Sequence, residues 1–408
     1  MLLSAESTAV VKATAGVVAD NSVEITTRFY PHMFAAHPEL MRVFNKANQA
    51  IGEQPRALAA SVVAYAVNLI DPNAPDFGPV MRRIAHKHVS LGIKSYEYPI
   101  VGHHLMWAIG DVLGEAVTPE IAAAWDEVYW LFGCQLIAEE AKLYALGGTD
   151  PERPWRKYRV VERLDESPEI FSLILAPVEG KTPEHHTGQY VAIAVDLPSG
   201  ERQPRQYTIS SGPRGDSLRV TIKRVRGVGG APDGQVSNWL GDNAKPGAVL
   251  DVSQPCGDLI LDESDGPLVL VSAGIGITPI AAIVEDLSRR QPDRQVRIFH
   301  ADTSHRNHAL YAHLRRQVLA MGDAKAQNWY EEDAESAPTL HPALPGYMDL
   351  SDIQIPSDAT VFMCGPLPFM RATRRALLDK GISGERIHYE VFGPDLWAQN
   401  PDSAEDAG

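Results

Sequence analysis

Hydrophobic positions along the 408-residue chain follow two different periods, and the change falls near residue 150. Before it, apolar residues recur at helical spacing through several long segments, with Pro and Gly confined to the gaps, which predicts an all-α region. The turn-rich stretch GGTDPERP at 147–154 reads as a linker. Beyond it come short alternating or β-branched runs: YRVVERL (158–164), IFSLILAPV (170–178), YVAIAVDL (190–197), QYTIS (206–210), LRVTIKRV (218–225) and AVLDV (248–252). Gly, Pro and Asp separate them, so they predict an antiparallel sheet or barrel. From about residue 266 the runs become LVLVSAG, QVRIFHAD (295–302) and ATVFMCGP (359–366), with the helical stretches AAIVEDLSRR and FMRATRRALLDKG between them. That alternation predicts a parallel α/β sheet. The expected division is an all-α domain at 1–147, a β-barrel domain at 153–262 and an α/β domain at 266–394, with 395–408 as a disordered tail.

Composition narrows the class without moving those boundaries. With 44% hydrophobic and 22% charged residues the make-up is that of an ordinary globular protein, and the length calls for more than one core. Acidic residues outnumber basic ones by 52 to 37, a formal net charge of −15. A surface of that sign repels phosphate backbones, so nucleic acid is not an expected partner. Cys134, Cys256 and Cys364 are widely spaced and odd in number, which suits a reducing cytoplasm and offers neither a disulfide framework nor a cysteine metal cluster. The N-terminal MLLSAESTAVVKATAGVVAD carries Glu6, Lys12 and Asp20 and predicts a capped helix rather than a signal peptide. Residues 268–284 are seventeen consecutive uncharged positions, interrupted by Gly274, Gly276 and Pro279. A membrane span needs roughly 20, so a buried strand, a glycine turn and a helix start account for them better.

Three helical segments of the first region each direct a chemically distinctive residue inward. In 80–91, Val80, Ile84, His88 and Leu91 share a face from which Arg82 and Arg83 are absent. His86 points about 160° away from His88. Segment 53–66 presents Gln54, Leu58, Ser61, Val62 and Tyr65, and segment 22–34 presents Val23, Thr26, Thr27, Tyr30 and Phe34. In HPELMRVF, Pro38 marks a bend and Phe44 follows it. An inward histidine is most often a hydrogen-bonded core residue, and Glu140 in AEEAK would ordinarily be a surface charge. Ligation instead needs a facing helix, and the 34 positions between Gln54 and His88 fit two helices that face across a flat group. Pro55 pushes the residue before it out of helical geometry, so Gln54 is expected at the entrance of its helix.

The later regions carry ordered motifs. RQYTIS (205–210) sets Arg205, Gln206, Tyr207 and Thr208 on a strand, between GQY ending at Tyr190 and GQVSNWL at 234–240. Gly234, Gln235, Val236 and Ser237 should open a short helix whose free N–H groups suit a diphosphate, although an ordinary capped helix has the same pattern. SAGIGITPI (272–280) places Gly274, Gly276, Thr278 and Pro279 in a glycine turn between a buried strand and a helix. Such a turn lets a nucleotide diphosphate approach the backbone, and its GxGxTP spacing differs from the Rossmann GxGxxG. Cys364, Gly365 and Pro366 close the strand TVFMCGP, and YEVFGP (389–394) carries Glu390 and Phe392.

RFYPHMF, HPEL with VFN, GEQPRAL and RIAHKHVSLGIK…YPIVGHHL make residues 1–145 resemble the globin domain of the bacterial flavohaemoglobins. RxYT, GxGxTP and CGP, in that order, make residues 155–394 resemble the ferredoxin-NADP⁺ reductase family, which supplies the other half of a flavohaemoglobin. The resemblance implies haem b with His88 as proximal iron ligand, Tyr98 and Glu140 as the partners of that histidine, and Tyr30 and Gln54 as the distal pair hydrogen-bonding bound O₂. It makes Leu58 an apolar lid and wedges Phe44 over the porphyrin. It implies FAD with Arg205 at the phosphates, Tyr207 against the isoalloxazine, Thr208 at its reactive edge and Phe392 covering it, with Tyr190, Gln206 and 234–237 completing the site. NAD(P)H follows, with Cys364 beside the nicotinamide, while Lys87 and Glu390 match positions at the haem–flavin junction. Ser304, His305 and Arg306 suit either a 2′-phosphate or an ordinary loop, which leaves NADH against NADPH open. The implied activity is nitric oxide dioxygenation, turning NO and O₂ into nitrate in the cytoplasm with no obligatory protein partner; a lipid is a candidate occupant of the haem pocket. An oxygen carrier or sensor, and an alkyl hydroperoxide reductase using the same electron path, are the competing expectations.

Overall fold

The computed structural model describes residues 2–44, 53–213, 215–227, 232–261 and 263–392, with their side chains other than those at 53–56 and 59. They form two compact units, one running through Pro154 with Pro198–Pro204, the other Trp155–Leu197 with Arg205–Phe392. The expected tail at 395–408 lies outside the described residues.

The first unit is helical: α1 (Ala5–Asp20), α2 (Ser22–Ala36), α3 (Glu53–Ile70), α4 (Gly78–Leu91), α5 (Tyr98–Leu113) and α6 (Pro119–Leu146), with a 3₁₀ turn at Pro38–Val43. Local chemistry sets the ends. Ser4 caps α1 by accepting from the Ser7 amide at 3.2 Å, and Thr118 caps α6 with Pro119 in its first turn. α4 stops on Gly92 at φ 72°, the left-handed residue that ends many helices. Ahead of α5, buried Glu97 accepts from the Lys94 amide at 3.0 Å and from the Arg42 guanidinium, tying the start of α5 to the 3₁₀ turn. Along α6, Trp125, Tyr129, Phe132, Leu136, Glu140 and Tyr144 form one buried stripe. Each large apolar member contributes about 1.5–3 kcal/mol by its burial.

The second unit holds two sheets. The first is antiparallel, in the order β4-β3-β6-β1-β2-β5, built from β1 (Arg156–Ser167), β2 (Ile170–Pro177), β3 (Tyr190–Asp196), β4 (Arg202–Thr208, of which Arg205–Thr208 belong to this unit), β5 (Leu218–Lys223) and β6 (Val249–Val252). A bridge between Ile209 and Val220 continues β4 onto β5 and joins the two edges. Helix α7 (Gln235–Asn243) follows β5. The second sheet is parallel, β10-β9-β8-β7-β11-β12, from β7 (Leu268–Ala273), β8 (Val296–Asp302), β9 (Ala324–Tyr330), β10 (Leu344–Pro345), β11 (Thr360–Cys364) and β12 (Ile387–Glu390). Helices α8 (Ile277–Arg290), α9 (Tyr311–Leu319) and α10 (Leu367–Asp379) cover it. The chain moves outward from β7 through β8 to β10, then returns to β11 on the other flank. Strand order therefore reverses between β7 and β11, and ligands of such sheets bind at the carboxyl ends beside that reversal.

The predicted helical, antiparallel and parallel regions are all present. β4 starts four residues before QYTIS, at Arg202, because an edge strand tolerates Pro204. β9 was not expected, since AKAQNWY has no β-branched residue to announce it. The uncharged stretch 268–284 is β7, the glycine turn and the buried start of α8, and no helix among the described residues is long and apolar enough to cross a membrane.

Candidate functional site

Helices α4 and α6 pack against each other, and α5 begins beside them at Tyr98. His88 Nδ1 lies 2.8 Å from Glu140 Oε1 and 2.9 Å from the Tyr98 hydroxyl, which itself donates to the same carboxylate oxygen. A carboxylate offers only acceptors, so Nδ1 carries the imidazole proton and Nε2 keeps its lone pair. Glu140 and Tyr98 are buried, whereas His88 keeps 26% of its side chain exposed. Burial first, and the Glu140 charge second, hold the Tyr98 hydroxyl far above the ordinary tyrosine range, so it remains a donor. Tyr129 fixes Tyr98 from behind by donating to its carbonyl at 2.5 Å. Gly133 makes room for this, since a Cβ there would sit 3.3 Å from the Tyr98 ring. Tyr129 lies outside the motifs that mark the other site residues. Its signal was the stripe Tyr129, Gly133, Glu140 on one face of α6.

On the facing side, Tyr30 is 5% exposed on α2, its ring 4.7 Å from Phe29, 5.6 Å from Phe44 and 5.8 Å from Phe34. Phe44 follows the 3₁₀ turn and packs 5.1 Å from Phe34, so Tyr30 and Phe44 are brought together. Leu58 is half-buried against this core, with Val62 and Tyr65 fully buried on the same helix. The Tyr65 hydroxyl is buried without a partner, and burial pushes its pKa up to about 12. Gln54 does fall in the first turn of α3, where Pro55 is tolerated, but its side chain lies outside the described ones. Lys87 is half-buried next to His88 on α4.

In the second unit, Arg205, Gln206 and Tyr207 are half-buried along β4 and Thr208 is buried. Burial lowers the Arg205 guanidinium and raises the Tyr207 hydroxyl. Tyr190 opens β3, with its ring against Gly257. Gly234 caps α7 and sits tightly on β5's continuation, since a Cβ there would be 2.7 Å from Val225 Cβ. Val236 is buried and Gln235 exposed. Ser237 donates to the Gly234 carbonyl at 3.2 Å and accepts from the Val225 amide at 3.1 Å, so its hydroxyl is committed to holding the turn.

At the reversal point of the parallel sheet, Gly274 adopts φ 53° and Gly276 follows, opening α8. A Cβ on Gly276 would overlap the Cys364 carbonyl and approach the Gly365 nitrogen to 2.9 Å, so two backbones touch here. Thr278 is buried, donating to the Ile275 carbonyl at 3.0 Å, and Pro279 is buried in the first turn. Strand pairing sets Ser272, Cys364 and Glu390 in one buried row, with Gly365 and Pro366 leading into α10. Burial, then the Glu390 charge, raises the Cys364 thiol well above its ordinary value, so it stays protonated and non-nucleophilic. Phe392 is 48% exposed just beyond β12.

Residues 27–135 match the globin family, and residues 270–375 match the oxidoreductase NAD-binding domain family. The flavohemoprotein of Bordetella parapertussis is 42% identical over 402 residues, covering 96% of this chain and 99% of the relative. That of Rhizobium meliloti is 38% identical over 410 residues, covering 98% and 100%. Among solved structures, the flavohemoglobin from Malassezia yamatoensis with bound FAD and heme superposes with a TM-score of 0.86 at 33% identity, covering 96% of this chain and all of its own. The flavohem-like FAD/NAD binding domain of nitric oxide dioxygenase from Vibrio cholerae covers 59% of this chain at 33% identity, with a TM-score of 0.55. By a two-part architecture matched nearly end to end, the chain belongs to the flavohemoprotein family.

Proposed function

We propose that this chain is a nitric oxide dioxygenase, forming nitrate from NO and O₂ with electrons drawn from NAD(P)H. The observation that carries the reading is the His88–Glu140–Tyr98 cluster, an imidazole whose Nδ1 proton is held by a buried carboxylate. Its chemistry fits haem b, because Nε2 is left as the lone pair for iron, and the helical interior keeps an unpartnered Tyr65 hydroxyl. The reductase unit fits FAD and NAD(P)H, because the glycine turn at 274–276 presents bare backbone at the start of α8 and a side chain at Gly276 would fill that approach. Bound haem supplies dioxygen activation, and bound FAD divides a two-electron hydride into single electrons.

This chain's residues then have separable tasks. Glu140 draws on the Nδ1 proton of His88 and makes Nε2 more electron-rich, which favours activation of oxygen over its storage. Tyr98 keeps Glu140 in place by donating to it, and Tyr129 keeps Tyr98 in place. Tyr30, enclosed by Phe29, Phe34 and Phe44, would donate a hydrogen bond to negative charge in this pocket, in an aromatic surround that disfavours water. Arg205, Tyr207, Thr208 and the Gly234 turn would hold the flavin. Gly274, Gly276 and Thr278 would hold the dinucleotide, with Cys364 on the adjoining strand end. The Vibrio cholerae domain, 33% identical over the reductase part, comes from a protein named nitric oxide dioxygenase, which supports the same assignment. The test mixes oxygenated, NADH-fed protein with NO and follows NO loss and nitrate. Nitrate formation well above the autoxidation background is expected, and NO loss at that background would overturn the proposal.

A further inference from the structure

The antiparallel and parallel sheets share one compact unit, and two neighbouring carboxylates on α8 join them. Glu285, with 3% of its side chain exposed, meets Arg219 Nη2 at 3.3 Å and His313 Nε2 at 3.0 Å through the same Oε2. Asp286 accepts from the Thr187 hydroxyl at 2.8 Å and from Arg290 at 2.6 Å. Arg219 belongs to β5 but also grips the continuation of β4. Its Nε donates to Ser210 Oγ at 3.3 Å, its Nη2 to the Ser210 carbonyl, and its backbone N–H to Ser211 Oγ at 3.2 Å. Ser210 comes two residues after Thr208, and Thr187 three residues before Tyr190. Each carboxylate is thus wired to one of the two strands that carry the flavin residues. Gly212 lies directly on the helix, since a Cβ there would be 3.2 Å from the Asp286 nitrogen. At its other end α8 starts at the Gly276 turn, roughly 13 Å from Glu285 at 1.5 Å per residue.

A buried ion pair is a poor way to stabilise a fold, because apolar residues of the same volume often pack as well. What it adds is direction, since charged hydrogen bonds hold one geometry where apolar surfaces slide. We infer that Glu285 and Arg219 are positioning residues for hydride transfer, clamping α8 and its nicotinamide turn to the flavin strands and so setting the reach from nicotinamide to flavin. Asp286 and Thr187 form the second jaw of the clamp. The inference rests on the NAD(P)H-to-FAD part of the proposed function and not on the chemistry at haem.

Glu285→Gln keeps the shape and removes the charge. Anaerobic stopped-flow mixing of the holoenzyme with saturating NADH reads the flavin reduction rate and the long-wavelength nicotinamide–flavin charge-transfer band. The rate should fall about tenfold to a hundredfold and the band should weaken, with FAD content and reduction by dithionite unchanged. A double variant, Arg219→Met with Glu285→Leu, removes both charges and should recover thermal stability but not the rate. An unchanged rate and band in Glu285→Gln overturns the inference. So does a rate that returns with stability in the double variant, which would make the pair a fold anchor. If the wild type itself shows no flavin reduction by NADH, the underlying electron path fails before the variants are compared.

Discussion

The helical unit and the reductase unit position their chemistry in opposite ways. In the first, His88, Tyr98 and Glu140 come from three helices, and only side-chain hydrogen bonds bring them within 3 Å of one another. In the second, the chemistry sits in short contiguous motifs at strand ends, and its geometry is backbone geometry: the Gly276 turn lies against Cys364 and Gly365 with no space for a methyl group. A helix presents a side chain in the right direction but leaves its protonation and tilt to its neighbours. A turn at the end of a parallel strand fixes the backbone itself and needs only small residues. The helical site should therefore respond to changes of hydrogen bonding, and the reductase site to changes of size.

The sharpest way to break this contrast is His88→Ala. On the proposed reading it abolishes the globin-type haem absorption while sparing NADH–ferricyanide reduction, and an unchanged spectrum would remove His88 from the ligand role. Gly276→Ala should do the reverse. Forcing a methyl group into the Cys364 backbone costs about 1–3 kcal/mol, and flavin reduction by NADH should fall by about a hundredfold with the haem spectrum intact. If flavin reduction by NADH survives the methyl group, the size argument fails. Glu140→Gln changes a hydrogen bond without changing shape. Haem should stay bound while NO turnover drops by about tenfold to a hundredfold, the usual penalty for losing such a partner, and turnover at the wild-type level would show that the carboxylate is not needed.

A smaller effect concerns pH. Burial, then His300 and His305, holds His308 well below its ordinary value of 6.5, so it is uncharged in the fold and hydrogen-bonded to the Tyr330 hydroxyl at 2.8 Å. The unfolded chain takes up that proton near 6.5 and therefore binds more protons than the fold below it. Stability falls as pH drops through that value. Melting temperature of the reductase unit, followed from neutral pH downward, should show this slope, and His308→Gln should flatten it; an identical slope in the variant would assign the loss to other groups.

Much of this was legible in the residue pattern, for reasons that differ between the units. Contiguous motifs such as GxGxTP and CGP announce themselves because a turn is a local object, and the structure brings Gly276 and Cys364 together as their order suggested. The helical stripe through Tyr129, Leu136 and Tyr144 turns Glu140 inward and Glu139 outward, but the role of Glu140 beside His88 was legible only through the family resemblance. Tyr129 and the Arg219–Glu285 pair escaped because their meaning lies in partners 31 and 66 positions away. β9 escaped because its burial comes from neighbouring strands and not from its own composition. Gln54 keeps the place that Pro55 implied, at the entrance of α3.

On the proposed function, electrons drawn from NADH end in nitrate. The addition of one electron to NO and O₂ gives one nitrate, and NADH supplies two electrons. Measuring nitrate formed against NADH consumed, in oxygenated protein given NO, should therefore yield about two nitrates for each NADH, and His88→Ala should yield none while still reducing ferricyanide. NADH consumption without nitrate in the wild type, or equal nitrate from His88→Ala, would rule out nitric oxide dioxygenation at His88.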